Sequence, residues 1–353
     1  MREPARSRHD EPVPLRFPAP LVPGDRVGVT APSAGVARDL RPRLDVALAT
    51  LRDHGLDPVL GRCLDGTGIV SAPARDRADD LVALLTDPAV RAVVPPWGGE
   101  LGIDLLGHVD WDRLADDPTW LVGLSDTSVL LLALTLRTGV ATLHGQNLMD
   151  TPYRVPEPLV GWLDVVRLPS GSRFDQGPSV RHRRAGFDDW VADPAVTERT
   201  LDTPGTWSLL DEATAGTVTG RLVGGCLDVV PRLAGTPYGD VPGFAAAHAP
   251  EGLVVYLEAV HLEPAEVART LWGLRHAGWF EAASAVLIGR TLSPESGTFS
   301  QRDAVRHALG DLGVPVLLDV DCGHVPPHLA LVNGALAEVR AEPGAFRLTQ
   351  TLA

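Results

Sequence analysis

The strongest constraint in this chain is an alternation. Through the first half, apolar runs of strand length are separated by stretches with helical spacing. Residues 26–32, RVGVTAP, read as a strand, and residues 40–55, LRPRLDVALATLRDHG, as an amphipathic helix closed by Gly55. Residues 78–99, ADDLVALLTDPAVRAVVPPWGG, read as a helix followed by a strand that stops at a glycine turn, and residues 140–147, VATLHGQN, add another strand. Strands separated by helices pair in parallel, so the pattern predicts an α/β fold with a mostly parallel sheet flanked by helices. Sites in such sheets gather at the carboxyl ends of the strands.

One strand end is unusual. In residues 119–139, TWLVGLSDTSVLLLALTLRTG, the apolar segment Trp120 to Val122 breaks at Gly123 to Asp126 and resumes as a run with the length and leucine content of a buried helix. A serine in such a strand-to-helix turn is lifted from the sheet edge with a helix N-terminus beside it, as in several unrelated hydrolases. The alternative is structural: Ser125, Asp126 or Thr127 could cap the helix. The full G-x-S-x-G pattern is absent, since Thr127 rather than glycine closes it. Partners elsewhere must decide.

Composition narrows the chemistry. A net charge of −14 repels phosphate backbones, and only the short RHRR at 181–184 is basic, so no nucleic-acid partner is expected. No apolar stretch approaches the roughly 20 residues of a membrane span, and the first 20 residues lack the apolar core of a secretory signal. The expectation is a cytoplasmic protein with no membrane partner and a loose arm over residues 1–20. Cys63, Cys226 and Cys322 are too few and scattered for a disulfide framework. The chain contains no lysine at all, which removes Schiff-base chemistry, the P-loop lysine and serine-lysine dyads. A serine nucleophile here needs histidine as its base.

At 353 residues the chain is long enough for two domains. Residues 21–167 form the first, and 168–213, rich in Pro, Gly, Ser, Arg and Asp, read as a linker and candidate specificity loop. Residues 214–353 resume the strand-helix rhythm as a smaller α/β domain, with Pro264 suited to a helix start and Gly278 to the position just past a helix end.

Two further candidates sit where apolar strands stop. Glu258 follows LVVYL, and His324 lies in DVDCGHVPPHL. A salt bridge and an ordinary turn residue are their structural alternatives. With Ser125 they would supply a nucleophile, a general base and a carboxylate that holds the base's tautomer. The oxyanion would then be held by the Asp126 amide and an amide of Gly98 or Gly99. His144 could be the base instead or position substrate, and Ser33 is a second strand-end serine. Glu258, His261 and Glu263 could suggest a metal, but H-E-x-x-H is absent. Nucleotide-binding glycine patterns are also absent, so chemistry without a cofactor is favoured.

Seven ordered blocks carry a family resemblance: GDRVGVTAPSAG, DPAVRAVVPPWGGELGIDLL, WLVGLSDTSVLLLAL, TLHGQNL, GRLVGGCLDVVPRLAGTPY, VVYLEAVHLEPAEVARTLWGLRHAGWF and VPVLLDVDCGHVPPHLALVNGALAEV. Together they resemble the LD-carboxypeptidase family of serine peptidases, which includes murein tetrapeptide carboxypeptidases and microcin C self-immunity peptidases. The resemblance implies a Ser-Glu-His triad at Ser125, Glu258 and His324, two α/β domains, frequent homodimers, and hydrolysis of an amide between an L and a D centre. Two departures stand out. Cys226 replaces the common asparagine after the GG of the second domain, and the oxyanion turn reads WGGEL, which brings Glu100 beside it.

The leading expectation is a cytoplasmic serine carboxypeptidase that releases terminal D-alanine from murein tetrapeptide through an acyl-enzyme. A microcin C-type amidase acting on aminoacyl or peptidyl nucleotides is the alternative enzyme, and a non-catalytic small-peptide binder is the alternative of another class. Glu100, His144, Cys226, Trp190 and Trp207 are the candidate substrate contacts. Phe187 and Arg181, Arg183 and Arg184 accompany the two tryptophans in the irregular segment.

Overall fold

The computed structural model describes residues 14–293 and 296–353. The first half forms strands β1 (Arg26–Val29), β2 (Asp57–Leu60), β3 (Val90–Val93), β4 (Trp120–Gly123) and β5 (Thr142–His144), with helices α1 (Arg41–Asp53), α2 (Ala74–Leu85), α3 (Trp111–Leu114) and α4 (Ser128–Thr138) among them. The strands pair in parallel in the order β2-β1-β3-β4-β5. Every residue of β4 is buried, as expected of a central strand covered on both faces.

The remaining strands are β6 (Arg173–Gln176), β7 (Arg181–His182), β8 (Thr203–Pro204), β9 (Ser208–Leu209), β10 (Gly216–Cys226), β11 (Leu253–Glu258), β12 (Ala283–Gly289), β13 (Val316–Val320), β14 (Leu331–Asn333), β15 (Leu336–Ala341) and β16 (Arg347–Thr351). The helices are α5 (Trp162–Val165), α6 (Val241–His248), α7 (Pro264–His276) and α8 (Gln301–Leu309). Strands β10 to β13 are parallel and joined by α6, α7 and α8. Pro264 opens α7 and Gly278 takes φ 80° just beyond its end, as the sequence implied.

The expected linker takes part in the second sheet. That sheet has eight strands, ordered β6-β16-β15-β10-β11-β12-β13-β9, and both of its edges, β6 and β9, come from residues 168–213. Between them β7 and β8 make a small ribbon. Nor do the halves separate cleanly in sequence, because β14 returns to the first sheet and pairs antiparallel with β5. Of the expected loose arm, residues 1–13 lie outside the described residues, while Arg16 is bridged to Val140 and Phe17 packs on the core.

The long apolar run after Ser125 now has its cause. Helix α4 touches β4 and β5 on one side and β10 on the other, so it is buried nearly all round. A helix between two sheets has little polar face to show. Its N-terminus is fixed at the boundary between the two units.

Candidate active site

Ser125 occupies the turn between β4 and α4 with φ 65°. This left-handed conformation costs an L residue roughly 1–2 kcal/mol, and it turns the side chain out at the end of the strand. No side-chain capping bond is made at the start of the short 3-10 turn Ser125–Thr127 or of α4. The capping alternative therefore does not describe what these residues do. Gly98 explains how a second loop comes so close: a Cβ there would sit 2.6 Å from Ser125 Cβ and 2.8 Å from its Oγ. Among the described residues the amides of Gly98 and Gly99 donate to no partner.

Asp126 holds these loops together. Its buried carboxyl accepts from Ser33 Oγ and from the Gly102 amide, each at 2.5 Å. Burial, the dominant influence, raises its pKa against those two bonds. Ser33 is almost fully buried and also receives the Leu101 amide, so its hydroxyl is structural.

The second sheet supplies the pair. Glu258 ends β11 fully buried, and His324 Nδ1 donates to its Oε2 at 2.9 Å. Glycine at 323, with φ 92°, lets the loop lie flat on this carboxylate: a Cβ there would be 2.5 Å from its Cγ and Cδ. Burial alone would raise the Glu258 pKa, but the imidazoles of His324 and His144 outweigh it and hold the carboxyl well below its ordinary range. Burial would lower His324, and the Glu258 carboxylate overrides it and raises the imidazole. With Nδ1 committed to Glu258, Nε2 is the ring's free position. Ser125 and His324 line one cavity of about 470 Å³, and no hydrogen bond joins them in this structure.

His144 was a candidate base or substrate contact, and the structure places it elsewhere. It is buried behind Glu258, its Nε2 3.8 Å from Oε1 and its ring edge-on to Tyr256, and it does not line the cavity. Cys226 likewise lies beside Glu258 rather than on the cavity wall, its amide bonded to Ser128 Oγ. His261 and Glu263 are exposed, and among the described residues they join no metal-sized cluster with Glu258.

The cavity wall opposite the pair comes from scattered residues. Tyr153 donates to Asp188 at 2.6 Å, receives Trp190 Nε1 at 2.7 Å, and lies 3.9 Å beneath the Arg199 guanidinium. Burial and the Asp188 bond push its phenol up to about 12, so it stays a donor. Arg183 bonds both oxygens of Asp188 at 2.7 Å, and Arg199 pairs with Asp150 at 2.6 Å. Behind them the buried Arg43 sits 4.6 Å from the Tyr153 ring and 5.1 Å from that of Trp190. Glu100, Phe187 and His328 also line the cavity. Trp207 is corrected: it is buried in the core, donates to Asp321 at 2.8 Å, and anchors the segment to the second sheet. Arg181 is spent on the carbonyls of Leu201 and Asp202, and neither it nor Arg184 reaches this cavity.

Comparison with known proteins agrees with this architecture. The LD-carboxypeptidase N-terminal domain matches residues 27–145 and its C-terminal domain residues 219–339. A Streptomyces coelicolor protein named as a carboxypeptidase is 31% identical over 337 residues, covering 94% of this chain and 95% of that protein. The chain belongs to the LD-carboxypeptidase family. A Bacillus subtilis protein named as a murein peptide carboxypeptidase is 26% identical, covering 91% of this chain and 90% of its own. The fold is shared with the microcin C7 self-immunity protein MccF, solved in complex with glutamyl sulfamoyl guanosine, at TM-score 0.80 and 21% identity over 96% of this chain and 98% of that one.

Several residues at or behind the cavity wall carried no sequence signal. Asp150, Tyr153, Arg199 and His328 stand in turns or irregular segments, and Arg43 on a helix, with nothing periodic to relate them. Asn147 could have been found: it follows the HGQ turn after β5, and its Oδ1 receives the Leu124 amide at 3.1 Å, next to Ser125.

Proposed function

We propose that this protein is a serine carboxypeptidase in which Ser125 is the nucleophile, His324 the general base and Glu258 the residue that orients it. One observation carries the reading: a left-handed serine at a strand-to-helix turn shares a cavity with a histidine whose other nitrogen is held by a buried carboxylate. Ser125 Oγ attacks the scissile carbonyl and its proton passes to His324 Nε2. The amides of Asp126 and of Gly98 or Gly99 receive the oxyanion, a contribution worth about 10²–10³ in rate per donor. His324 then protonates the leaving amine, and water, activated by the same imidazole, releases the acyl group. The 2.9 Å bond to Glu258 keeps Nε2 unprotonated and turned to the cavity, and stabilises the imidazolium once formed.

The substrate we favour is a murein tetrapeptide losing its terminal D-alanine, in the cytoplasm. Arg183 and Arg199 support a peptide carrying carboxylates, since each guanidinium keeps N–H groups beyond those given to Asp188 and Asp150. No helix among the described residues is long and apolar enough to cross a membrane. A second reading has its own support. Phe187, Trp190 and Tyr153 give the cavity an aromatic wall able to stack on a base, and MccF was solved with an aminoacyl-type nucleotide. Incubation with murein tetrapeptide and aminoacyl sulfamoyl nucleosides, followed by mass spectrometry, tests both. Release of D-alanine by the parent and not by Ser125→Ala is the expected result. Cleavage of the nucleosides alone would transfer the function to the second reading, and turnover of neither, with no labelling of Ser125 by a fluorophosphonate, would leave a binder.

A further inference from the structure

The pair Glu258–His324 has a third neighbour that the proposed reaction does not use. Cys226 ends β10, and the parallel register of β10 with β11 sets it directly beside Glu258. Its Sγ, a Glu258 oxygen and a His324 ring nitrogen all lie within 4.8 Å of one another. Among the described residues no other group of three His, Cys, Asp or Glu side chains is gathered in this way.

We propose that Cys226, Glu258 and His324 bind a thiophilic divalent cation of the Zn²⁺ class, and that the bound ion withdraws His324 from catalysis. Thiolate, carboxylate and imidazole are the three side-chain ligand types of zinc. Tetrahedral bonds of about 2.0–2.3 Å place ligand atoms about 3.3–3.7 Å apart, so separations of up to 4.8 Å must close by at most about 1.5 Å. Rotation of the Cys226 and His324 side chains supplies that movement, while Gly289 and Gly323 let their loops press on Glu258 and keep it in place.

Charge favours the same occupant. A thiolate, a carboxylate and a dication sum to zero, so the loaded site holds no net charge where the carboxylate alone left one negative charge buried. The thiol proton leaves to solvent as the ion enters. Three protein ligands leave a fourth position for water or substrate, and His324 meets the main cavity while a second cavity of about 280 Å³ reaches Glu258 from the side of α7 and α8. An asparagine at position 226 could not act in this way, because its amide does not ionise. Inhibition rests on the role proposed for His324, whereas binding of the ion does not.

Equilibrium dialysis of the full chain against Zn²⁺, absorbance with Cd²⁺, and the rate of fluorophosphonate labelling of Ser125 test the proposal without knowledge of the substrate. The expected results are one Zn²⁺ per chain, a thiolate-to-metal absorption band with Cd²⁺, and labelling that slows with Zn²⁺ and recovers on chelation. In Cys226→Ser and Cys226→Asn, each compared with its own metal-free rate, the Zn²⁺ concentration for half-inhibition should rise by more than the about 100-fold known for loss of an outer-sphere partner. Unchanged stoichiometry and inhibition in both variants overturn the proposal. Absence of the Cd²⁺ band in the unaltered protein overturns it even if neither variant folds. Binding that depends on Cys226 while labelling is unaffected would keep the metal site and overturn the role of His324 as base.

Discussion

The two walls of the cavity are built on different principles. On one, Ser125, Glu258 and His324 stand at or just beyond the ends of β4, β11 and β13, and each is fixed by backbone: a left-handed φ at Ser125, glycines at 98 and 323, and a strand end under Glu258. On the other, residues from 43 to 199 are linked to one another through side-chain contacts of Arg183, Asp188, Tyr153, Trp190, Arg199 and Arg43. A wall set by backbone tolerates almost no substitution at its glycines, because one added atom at 98 or 323 meets the side chain of Ser125 or of Glu258. A wall set by exchangeable side chains can change its ligand without disturbing the chemistry opposite.

Substitutions on the two walls should separate these behaviours. Ser125→Ala should lower kcat/KM by at least about 10⁴-fold with the fold retained, measured by turnover and circular dichroism. Ser125→Gly should be equally inactive yet more stable by about 1 kcal/mol in denaturant titration, since glycine takes φ 65° without strain. Equal stability of the two would remove strain from the description of this turn.

Glu258→Gln should cost about 10³- to 10⁴-fold in kcat. The pH profile gives the sign of the coupling. With His324 as the proposed base it must be neutral to act, and the Glu258 carboxylate favours its protonated form more than burial opposes it, so the acid limb of kcat/KM should have its midpoint above the ordinary imidazole value of about 6.5. In the glutamine variant the residual activity should show that limb moved to lower pH. A limb that stays in place would disconnect Glu258 from the base.

Smaller effects follow on turnover. Gly98→Ala places a methyl 2.6 Å from Ser125 Cβ and should reduce kcat by about 100-fold, with less change in KM. Trp190→Ala should raise KM about tenfold for the true substrate and leave fluorophosphonate labelling of Ser125 unchanged. Trp207→Ala should leave KM alone and destabilise the fold by about 3–5 kcal/mol, because that ring is in the core. Should Trp207 rather than Trp190 govern KM, the distinction between the walls fails.

The contrast also accounts for what could be read from the amino acids. Ser125, Glu258 and His324 were legible because each follows an apolar run, and a strand end is a local signal. Trp190 and Trp207 looked alike in one aperiodic segment, although one lines the cavity and the other fills the core. Residues 168–213 suggested a linker because edge strands of two and four residues are too short to show alternation. His144 also ends a strand, yet its ring lies against Glu258 rather than in the cavity.

The sequence by itself determined the parallel α/β architecture, the strand ends where chemistry would gather, and, through the lack of lysine, that a serine nucleophile here would need an imidazole base. Those properties follow from periodicity and residue type, which act over a few neighbouring positions. Only the tertiary structure decided that the serine from one sheet faces the histidine of the other, that Ser33 is spent on Asp126, and that Cys226 lies against Glu258. Those relations join residues 32 to 199 positions apart, and they arise from the packing of α4 between two sheets and the register of neighbouring strands, which no local pattern encodes.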